Sequence, residues 1–230
     1  MWALTYHPER DERHEHLGLY ESLLAAVSHT EWHMCGEAIE RRQDLLHVHG
    51  AAVCSSRASV LLPGTSGIGK TTFALALALR GLRLLSDDVV FLHTDTWQPE
   101  SFPRAFHIHD DALPRLAPLG LRYAPEDHIG GHLCATVLGP WDRTPGPPLR
   151  YVVFPRLDPA GPLTLAPLSG AEATLELMRY SKNLRRLPRH GLDLIPRLLE
   201  RVECYVLRRN DDLAAAADLV RQLVEQGVES

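Results

Sequence analysis

Eight consecutive residues in the first third of the chain have the types and spacing of a phosphate-binding loop. Residues 64–71 read Gly-Thr-Ser-Gly-Ile-Gly-Lys-Thr and complete the pattern G-x-x-x-x-G-K-[ST]. In such a loop the glycines let backbone N–H groups point at phosphates, the lysine reaches the outer phosphates and the hydroxyl holds Mg²⁺. The residues expected to line the phosphates are Gly64, Thr65, Ser66, Gly67, Ile68, Gly69, Lys70, Thr71 and Thr72. Lys70 is the expected phosphate-binding cation, and Thr71 is an expected magnesium ligand.

The residues on both sides of this loop fit the structural context that the motif requires. An apolar run typical of a strand precedes it at 59–62, and a run of strong helix formers follows it at 72–79. Gly81 is a plausible end for that helix. We therefore predict a strand, the loop and a helix, and a bound nucleoside triphosphate.

A pair of aspartates, Asp87 and Asp88, is expected to return to the same place. The helix from Lys70 to Arg80 carries the chain about 16 Å away, at roughly 1.5 Å per residue. A strand over 83–88 then returns about 17–20 Å, at roughly 3.3 Å per residue. Because successive strand residues point to opposite faces, we expect one aspartate to face the γ-phosphate and the other to lie near the magnesium ion or to pair elsewhere.

A histidine, His49, is predicted at the mouth of the loop. If 45–54 and 58–62 form a hairpin centred on Ser56, paired residues have numbers that sum to about 112, and His49 lies opposite Pro63. A carboxylate near the γ-phosphate can accept the proton of a serine or threonine hydroxyl, and a neighbouring histidine can orient it. The set therefore suits phosphoryl transfer, in which positioning and charge stabilisation do most of the catalysis.

Composition narrows the class of protein further. The chain has 230 residues, 45% of them hydrophobic, and a net charge of −5, which suits a globular protein and does not favour nucleic-acid binding. The arginines at 185, 186, 189, 208 and 209 are interpreted as solvated faces. Four scattered cysteines without C-x-x-C spacing, no apolar run long enough to span a membrane and no signal peptide predict a cytoplasmic protein without a membrane partner. A homo-oligomeric state is left open.

Strands that alternate with helices predict an α/β layer structure. Apolar spacing predicts a helix over 17–28, and we expect residues 1–44 to be a helical or irregular segment packed on a core domain of residues 45–230. Within that domain we predict strands at 83–86, 89–93, 133–138, 151–154, 163–166 and 203–207, and helices at 169–180, 192–201 and 211–226. Ser169 and Glu172 have the spacing of a capping box.

The segment 45–93 resembles the catalytic domain of the HPr kinase/phosphorylase family. The resemblance rests on His49-Gly50, on the loop with Lys70 and Thr71, and on the run from Arg80-Gly81 to Asp87-Asp88. It implies a P-loop domain of the HPr kinase and phosphoenolpyruvate carboxykinase type, with a mixed β-sheet and flanking helices. It further implies ATP and Mg²⁺ as cofactors, Asp88 as the base, and His49 and Lys70 as further catalytic residues. With Asp88 as the base, Asp87 is the aspartate expected near the magnesium ion.

The chain looks most like the short HPr-kinase-related proteins, some of which resemble kinases that tailor peptide natural products. We therefore expect a kinase that phosphorylates a serine hydroxyl of a peptide or protein. A kinase for a small molecule such as free serine, and a non-catalytic nucleotide-binding partner, remain alternatives, as does the reverse, phosphorolytic reaction. Two Phe-Pro-Arg tripeptides place Arg104 and Arg156 after extended segments, where they serve either phosphates or the structure.

Overall fold

The computed structural model describes residues 2–6, 15–20, 23–187 and 191–226, and they divide into two compact units, 1–43 and 44–230. In the first unit, strand β1 (Trp2–Tyr6) pairs antiparallel with strand β2 (Glu15–Tyr20), and helix α1 covers Leu23–Arg41. The helix predicted over 17–28 is therefore wrong at its start, because 17–20 is extended and pairs with another strand. The packing of residues 1–44 on the core stays a prediction.

The second unit carries the phosphate loop. Its strands are β3 (Leu46–Cys54), β4 (Ser59–Pro63), β5 (Arg83–Ser86), β6 (Val89–Leu92), β7 (Phe106–His107), β8 (His128–Ile129), β9 (His132–Leu133), β10 (Leu149–Leu157), β11 (Thr164–Pro167) and β12 (Glu203–Arg209). Its helices are α2 (Lys70–Leu79), the single turn α3 (Leu113–Leu116), α4 (Gly170–Tyr180), α5 (Gly191–Leu199) and α6 (Leu213–Gln226).

Seven of these strands form one mixed sheet, so the α/β fold with a mixed sheet and flanking helices is confirmed. The strand order is β11-β12-β10-β4-β3-β5, and β6 pairs with β3 beyond the end of β5. Strand β10 is parallel to β4 and β12, whereas β3 is antiparallel to β4, β5 and β6. Strands β7, β9 and β8 form a separate small antiparallel sheet.

Alternation along the central strands divides the core between two faces of the sheet. Along β10, Tyr151 and Val153 belong to the cluster that includes residues of α2 and α6, while Val152 and Phe154 belong to the cluster that includes residues of α4 and α5. Strands buried on both faces read as continuous apolar runs, and this explains the sequence of β10. The result is a three-layer structure with the sheet in the middle.

Local sequence explains where two of the helices begin. Helix α2 starts directly after Gly69, whose φ of 82° is accessible to glycine at little cost. Helix α4 starts with the expected capping box, in which the Ser169 hydroxyl accepts from the Glu172 backbone N–H and the Glu172 carboxylate accepts from Ser169.

The strand predicted over 133–138 is wrong for most of its length, because β9 ends at Leu133 and residues 135–138 form a short 3₁₀ helix. The apolar residues of this stretch alternate too briefly to separate the two structures by pattern. Over the described part of the chain, we find no helix with the length and apolar character needed to cross a bilayer.

Candidate active site

The phosphate loop lies between the end of β4 and the start of α2, as its motif requires. Gly67 and Gly69 both have φ near 82°, a left-handed conformation that other residues rarely adopt. Gly64 is buried at the strand end, while Thr65, Ser66 and Gly67 are exposed and Ile68, Gly69, Thr71 and Thr72 are half-buried. The loop therefore combines a fixed backbone with an exposed crest, which is the arrangement an approaching phosphate chain needs.

Lys70 lies under this crest with only 7% of its surface exposed. Its Nζ donates a hydrogen bond to the Thr65 carbonyl oxygen at 2.8 Å and lies 3.2 Å from Nε2 of His49. Burial lowers the pKa of Lys70, and the nearby carboxylates of Asp87 and Asp88 oppose that shift. The ammonium group is thus held inside the loop by a backbone oxygen and a ring nitrogen.

Asp87 and Thr71 place a carboxylate and a hydroxyl side by side next to the loop. The Thr71 hydroxyl donates to Oδ2 of Asp87 at 2.8 Å, and Asp87 is only 3% exposed. Its other oxygen, Oδ1, is buried and has no hydrogen-bond partner. Burial raises the pKa of Asp87, with the Thr71 hydrogen bond acting against it. A buried carboxylate oxygen without a partner next to a hydroxyl fits the hard oxygen ligands that Mg²⁺ prefers.

Asp88 occupies the turn between β5 and β6, and its side chain is exposed whereas that of Asp87 is buried. Its φ of 70° is unusual for a residue with a side chain, although aspartate tolerates it better than most. The turn is held by the Val89 N–H, which donates to the Asp87 carbonyl oxygen, and by the Gly50 N–H, which donates to that of Asp88. The Asp88 side chain is 55% exposed, so a molecule in the solvent can reach it.

His49 joins Lys70 to Asp88, although its position in the sheet differs from the predicted one. Gly50, not His49, pairs with Pro63, and His49 pairs with Val89 of β6. The predicted register is wrong by one residue because the connection between β3 and β4 covers four residues, 55–58, so that paired numbers sum to 113 rather than 112. The Gly64 N–H still donates to the His49 carbonyl oxygen at 3.4 Å, which keeps His49 at the mouth of the loop.

The contacts of the His49 ring define its tautomer. Nδ1 lies 2.8 Å from the Asp88 carbonyl oxygen and 3.3 Å from Oδ1 of the same residue, and both are acceptors. The ammonium of Lys70 can only donate, so Nε2 accepts from it. The proton is therefore assigned to Nδ1, and a continuous chain of contacts runs from Lys70 through His49 to Asp88.

Arg104 is the second partner of Asp88. It lies three residues before His107, and its Nη1 donates to Oδ2 of Asp88 at 2.7 Å. The hydrogen bond from His49 and the guanidinium of Arg104 hold the pKa of Asp88 well below its usual range, against the effect of burial. Of the two Phe-Pro-Arg tripeptides, the first thus delivers its arginine to the site.

The second tripeptide delivers its arginine elsewhere. Nη2 of Arg156 pairs with Oε2 of Glu176 on helix α4 at 2.7 Å. Glu176 also accepts from Arg179 of the same helix at 3.2 Å. Arg156 therefore ties the end of β10 to α4, and the structural interpretation is the one that fits its contacts.

Arg209 is a residue of the site that the sequence interpretation missed. It was grouped with Arg208 as part of a solvated face, yet it is only 5% exposed. Its Nη2 donates to the Ile68 carbonyl oxygen at 3.0 Å, and its guanidinium lies 5.8 Å from the centre of the Phe73 ring. A Cβ atom at Gly69 would come within 2.5 Å of Nη2, so the loop leaves that space for the arginine. The signal in the sequence was the alternation of β12, which buries every second residue.

Comparisons with known proteins relate the chain to one family. No protein-family model matches the chain. The HPr kinase/phosphorylase of Geobacter sulfurreducens is 47% identical to it over 53 residues, which is 23% of this chain and 17% of that protein. The chain therefore spans less than a fifth of the length of this curated relative.

A solved HPr(Ser) kinase/phosphatase from Coxiella burnetii aligns with 76% of this chain and 94% of its own, with 17% identity and a TM-score of 0.37. That likeness is too low to carry an argument. The resemblance predicted from the motifs is confirmed by the curated match: over those 53 residues this chain is similar to an HPr kinase/phosphorylase.

Proposed function

We propose that the protein is an ATP- and Mg²⁺-dependent kinase that transfers the γ-phosphoryl group to a serine hydroxyl of a peptide or protein. The observation that carries the proposal is the contact chain from Lys70 of the phosphate loop through His49 to the half-exposed carboxylate of Asp88. A nucleotide-binding loop alone fits many classes of protein. An ionised carboxylate that is linked to the loop by hydrogen bonds and is accessible to a second substrate fits a kinase.

The loop and Lys70 would hold the phosphates of ATP. Backbone N–H groups of residues 64–71 would donate to the phosphate oxygens, and the Lys70 ammonium would exchange the Thr65 carbonyl oxygen for a γ-phosphate oxygen. Asp87 and Thr71 would hold Mg²⁺, and the unpartnered Oδ1 of Asp87 supports this assignment. When bound, the ion would neutralise charge on the β- and γ-phosphates.

Asp88 would accept the proton of the serine hydroxyl. The serine oxygen then forms its bond to the γ-phosphorus, the bond to the oxygen between the β- and γ-phosphates breaks, and ADP leaves. A carboxylate bound by both His49 and Arg104 is a weak base, since both contacts favour its charged form. We therefore expect Arg104 to leave Asp88 for the transferred phosphoryl group, which raises the pKa of Asp88 as the hydroxyl arrives.

The test is transfer to a panel of acceptors. The purified chain is incubated with ATP and Mg²⁺ and with serine peptides, serine-bearing proteins and free serine, and products are detected by mass. We expect peptides or proteins to gain one phosphoryl group, and Asp88→Asn to lose transfer while it still binds ATP. Asp95→Asn, at an exposed turn outside the site, is the matched control and should keep full activity.

The outcomes separate the alternatives. Transfer to free serine and to no peptide would instead identify a small-molecule kinase. ATP binding without transfer to any acceptor would identify a non-catalytic nucleotide-binding partner. Unchanged transfer by Asp88→Asn would remove Asp88 from the role of base.

A further inference from the structure

Three histidines of the small sheet and the loop after β7 form a cluster that the proposed phosphoryl transfer does not use. His107 of β7 pairs with His132 of β9, and their ring centres lie 5.3 Å apart. His109 follows two residues after His107, and their rings lie 5.4 Å apart in an edge-on arrangement. His107 and His109 are exposed and His132 is half-buried, so a ligand in solvent can reach the cluster.

The position of this cluster relates it to Asp88. Arg104, which binds Asp88, is separated from His107 by only two residues, and the intervening Phe106 is fully buried and anchors the strand. Burial, His132, His109 and Arg104 lower the pKa of His107, while the carboxylate of Asp88 raises it. Both members of the Asp88–Arg104 pair therefore act on the cluster electrostatically.

The other charged groups near the cluster are few among the described residues. Asp110 follows His109 and lies 3.7 Å from Nδ1 of His128, so its charge is directed to that ring. Asp111 is exposed in the same loop. The groups that face His107 are thus the imidazoles of His109 and His132, the guanidinium of Arg104 and the carboxylate of Asp88.

The His107 imidazole contacts those of both His109 and His132, and this arrangement is suited to an anion. Adding a proton to one ring is disfavoured by its neighbours, and an anion beside the rings offsets this cost and forms charge-assisted hydrogen bonds. A metal ion is not the ligand that the geometry favours, because no group of three His, Cys, Asp or Glu side chains in the described residues is arranged to hold one.

We propose that His107, His109 and His132 form an acceptor subsite, which binds a carboxylate that lies next to the serine hydroxyl in the peptide. The inference rests on the proposed function, because it takes Asp88 as the point where the hydroxyl arrives. It extends that function by assigning the acceptor a chemical class: a serine flanked by an acidic residue. Binding takes up a proton, and acidic acceptors are therefore favoured at lower pH.

The first test measures binding and does not depend on catalysis. Imidazole NMR signals of the full chain are titrated with blocked Asp-Ser-Asp and Asn-Ser-Asn tripeptides, and with inorganic phosphate, at constant ionic strength. We expect the acidic tripeptide to raise the titration midpoint of His107 by about half a pH unit, with little effect of the amide tripeptide. An equal response to both tripeptides would overturn the subsite, and a response to phosphate alone would replace the acceptor carboxylate with a phosphate ion.

The second test measures preference. Serine peptides with randomised flanks are phosphorylated at pH 6 and pH 8, and the products are sequenced by mass. We expect Asp and Glu to be enriched at pH 6 at one flanking position. The combined substitutions His107→Gln and His132→Gln should raise KM for acidic peptides about tenfold and leave KM for ATP and kcat little changed.

Two further variants control this test. His93→Gln alters a histidine that pairs with Glu100 outside the cluster, and it should keep the preference. If the protein with both His107→Gln and His132→Gln does not fold, His109→Gln is used in its place, because His109 is at an exposed loop position. The inference would be overturned if peptides were phosphorylated without a preference for acidic residues. It would also be overturned if that preference survived in the combined variant and in His109→Gln. Loss of all transfer with the NMR response intact would instead count against the proposed function alone.

Discussion

The phosphate side and the acceptor side of the candidate site are built in different ways. On the phosphate side one continuous segment, 59–79, supplies the strand, the loop and the helix, and the groups that would contact phosphates are mostly backbone N–H groups. On the acceptor side, Asp88, Arg104 and His107 are half-buried or exposed side chains that come from a turn, a loop and a two-residue strand. In the proposed function, phosphate binding would thus be a property of local backbone, whereas acceptor recognition would depend on side chains that separate segments bring together.

The two adjacent aspartates show the same difference on the smallest scale. Asp87 is buried, accepts from Thr71 and has its pKa raised by burial. Asp88 is half-exposed, and His49 and Arg104 hold its pKa below the usual range. The strand predicted over 83–88 ends at Ser86, and the two aspartates lie in the turn that follows. There the left-handed backbone of Asp88, with φ of 70°, lets neighbours in sequence enter different environments.

The largest expected effect on activity is that of Asp88→Asn, and it distinguishes the proposed base from the proposed magnesium ligand. Asp88→Asn should lower kcat for transfer about 10²–10⁴-fold, because the amide cannot accept the serine proton. The Mg²⁺ concentration at half-maximal rate should stay unchanged. A variant with normal kcat and a raised Mg²⁺ requirement would show that the two aspartates have exchanged roles. Steady-state kinetics over a Mg²⁺ series provides both values.

Arg104→Gln should have the next largest effect. The variant loses the cation that we expect to move from Asp88 to the transferred phosphoryl group, and kcat should fall about 10²-fold. ATP affinity, measured by calorimetry, should change only slightly, because Arg104 lies on the acceptor side. Arg156→Gln is the matched control. Arg156 belongs to the other Phe-Pro-Arg tripeptide and pairs with Glu176 on α4, so this substitution should leave kcat unaltered. A large loss of ATP affinity in Arg104→Gln would place this arginine on the phosphate side.

Asp87→Asn tests the phosphate side. It should raise the Mg²⁺ concentration at half-maximal rate about tenfold, because a neutral amide replaces a charged oxygen ligand. Saturating Mg²⁺ should restore most of kcat, which no concentration of Mg²⁺ does for Asp88→Asn. An unchanged Mg²⁺ response would exclude Asp87 as a ligand. Thr71→Ala should show the same pattern.

Arg209→Met should have a smaller effect, confined to the phosphate loop. The variant keeps an unbranched apolar chain but loses the guanidinium over the Phe73 ring and the hydrogen bond to the Ile68 carbonyl oxygen. We expect KM for ATP to rise about threefold and the free energy of unfolding to fall by about 1–2 kcal/mol, the cost of a buried acceptor left without its charged donor. Arg208→Met, at the exposed neighbouring position, should change neither value. Equal effects of the two substitutions would contradict a specific contact with the loop.

The smallest expected effect lies outside both sides of the site. Ser169→Ala removes the N-cap of α4 and should lower the free energy of unfolding by about 1 kcal/mol. Urea denaturation followed by circular dichroism measures it. Because α4 packs on the sheet face opposite α2, kcat and KM for ATP should not change. Altered kinetics would show that the acceptor side extends to this helix.

Much of the fold followed from local patterns in the sequence. The apolar run of β10, the helix after the loop and the capping box of α4 each have a signal within about ten residues, and all three were confirmed. The errors occurred where local patterns are ambiguous. Residues 17–20 have helical spacing but pair as a strand, and the hairpin register depended on the exact length of one turn.

The sequence by itself determined the phosphate loop and the return of the aspartates to it. Glycine positions, the lysine and the lengths of one helix and one strand are enough, because backbone geometry sets them locally. Only the tertiary structure decided that Arg104 binds Asp88, that Arg209 donates to the Ile68 carbonyl oxygen of the loop, and that His107 meets His109 and His132. Those contacts join residues from separate elements, or residues that the short sheet of β7, β9 and β8 brings together. Such long-range packing leaves no pattern in the local sequence from which it could be predicted.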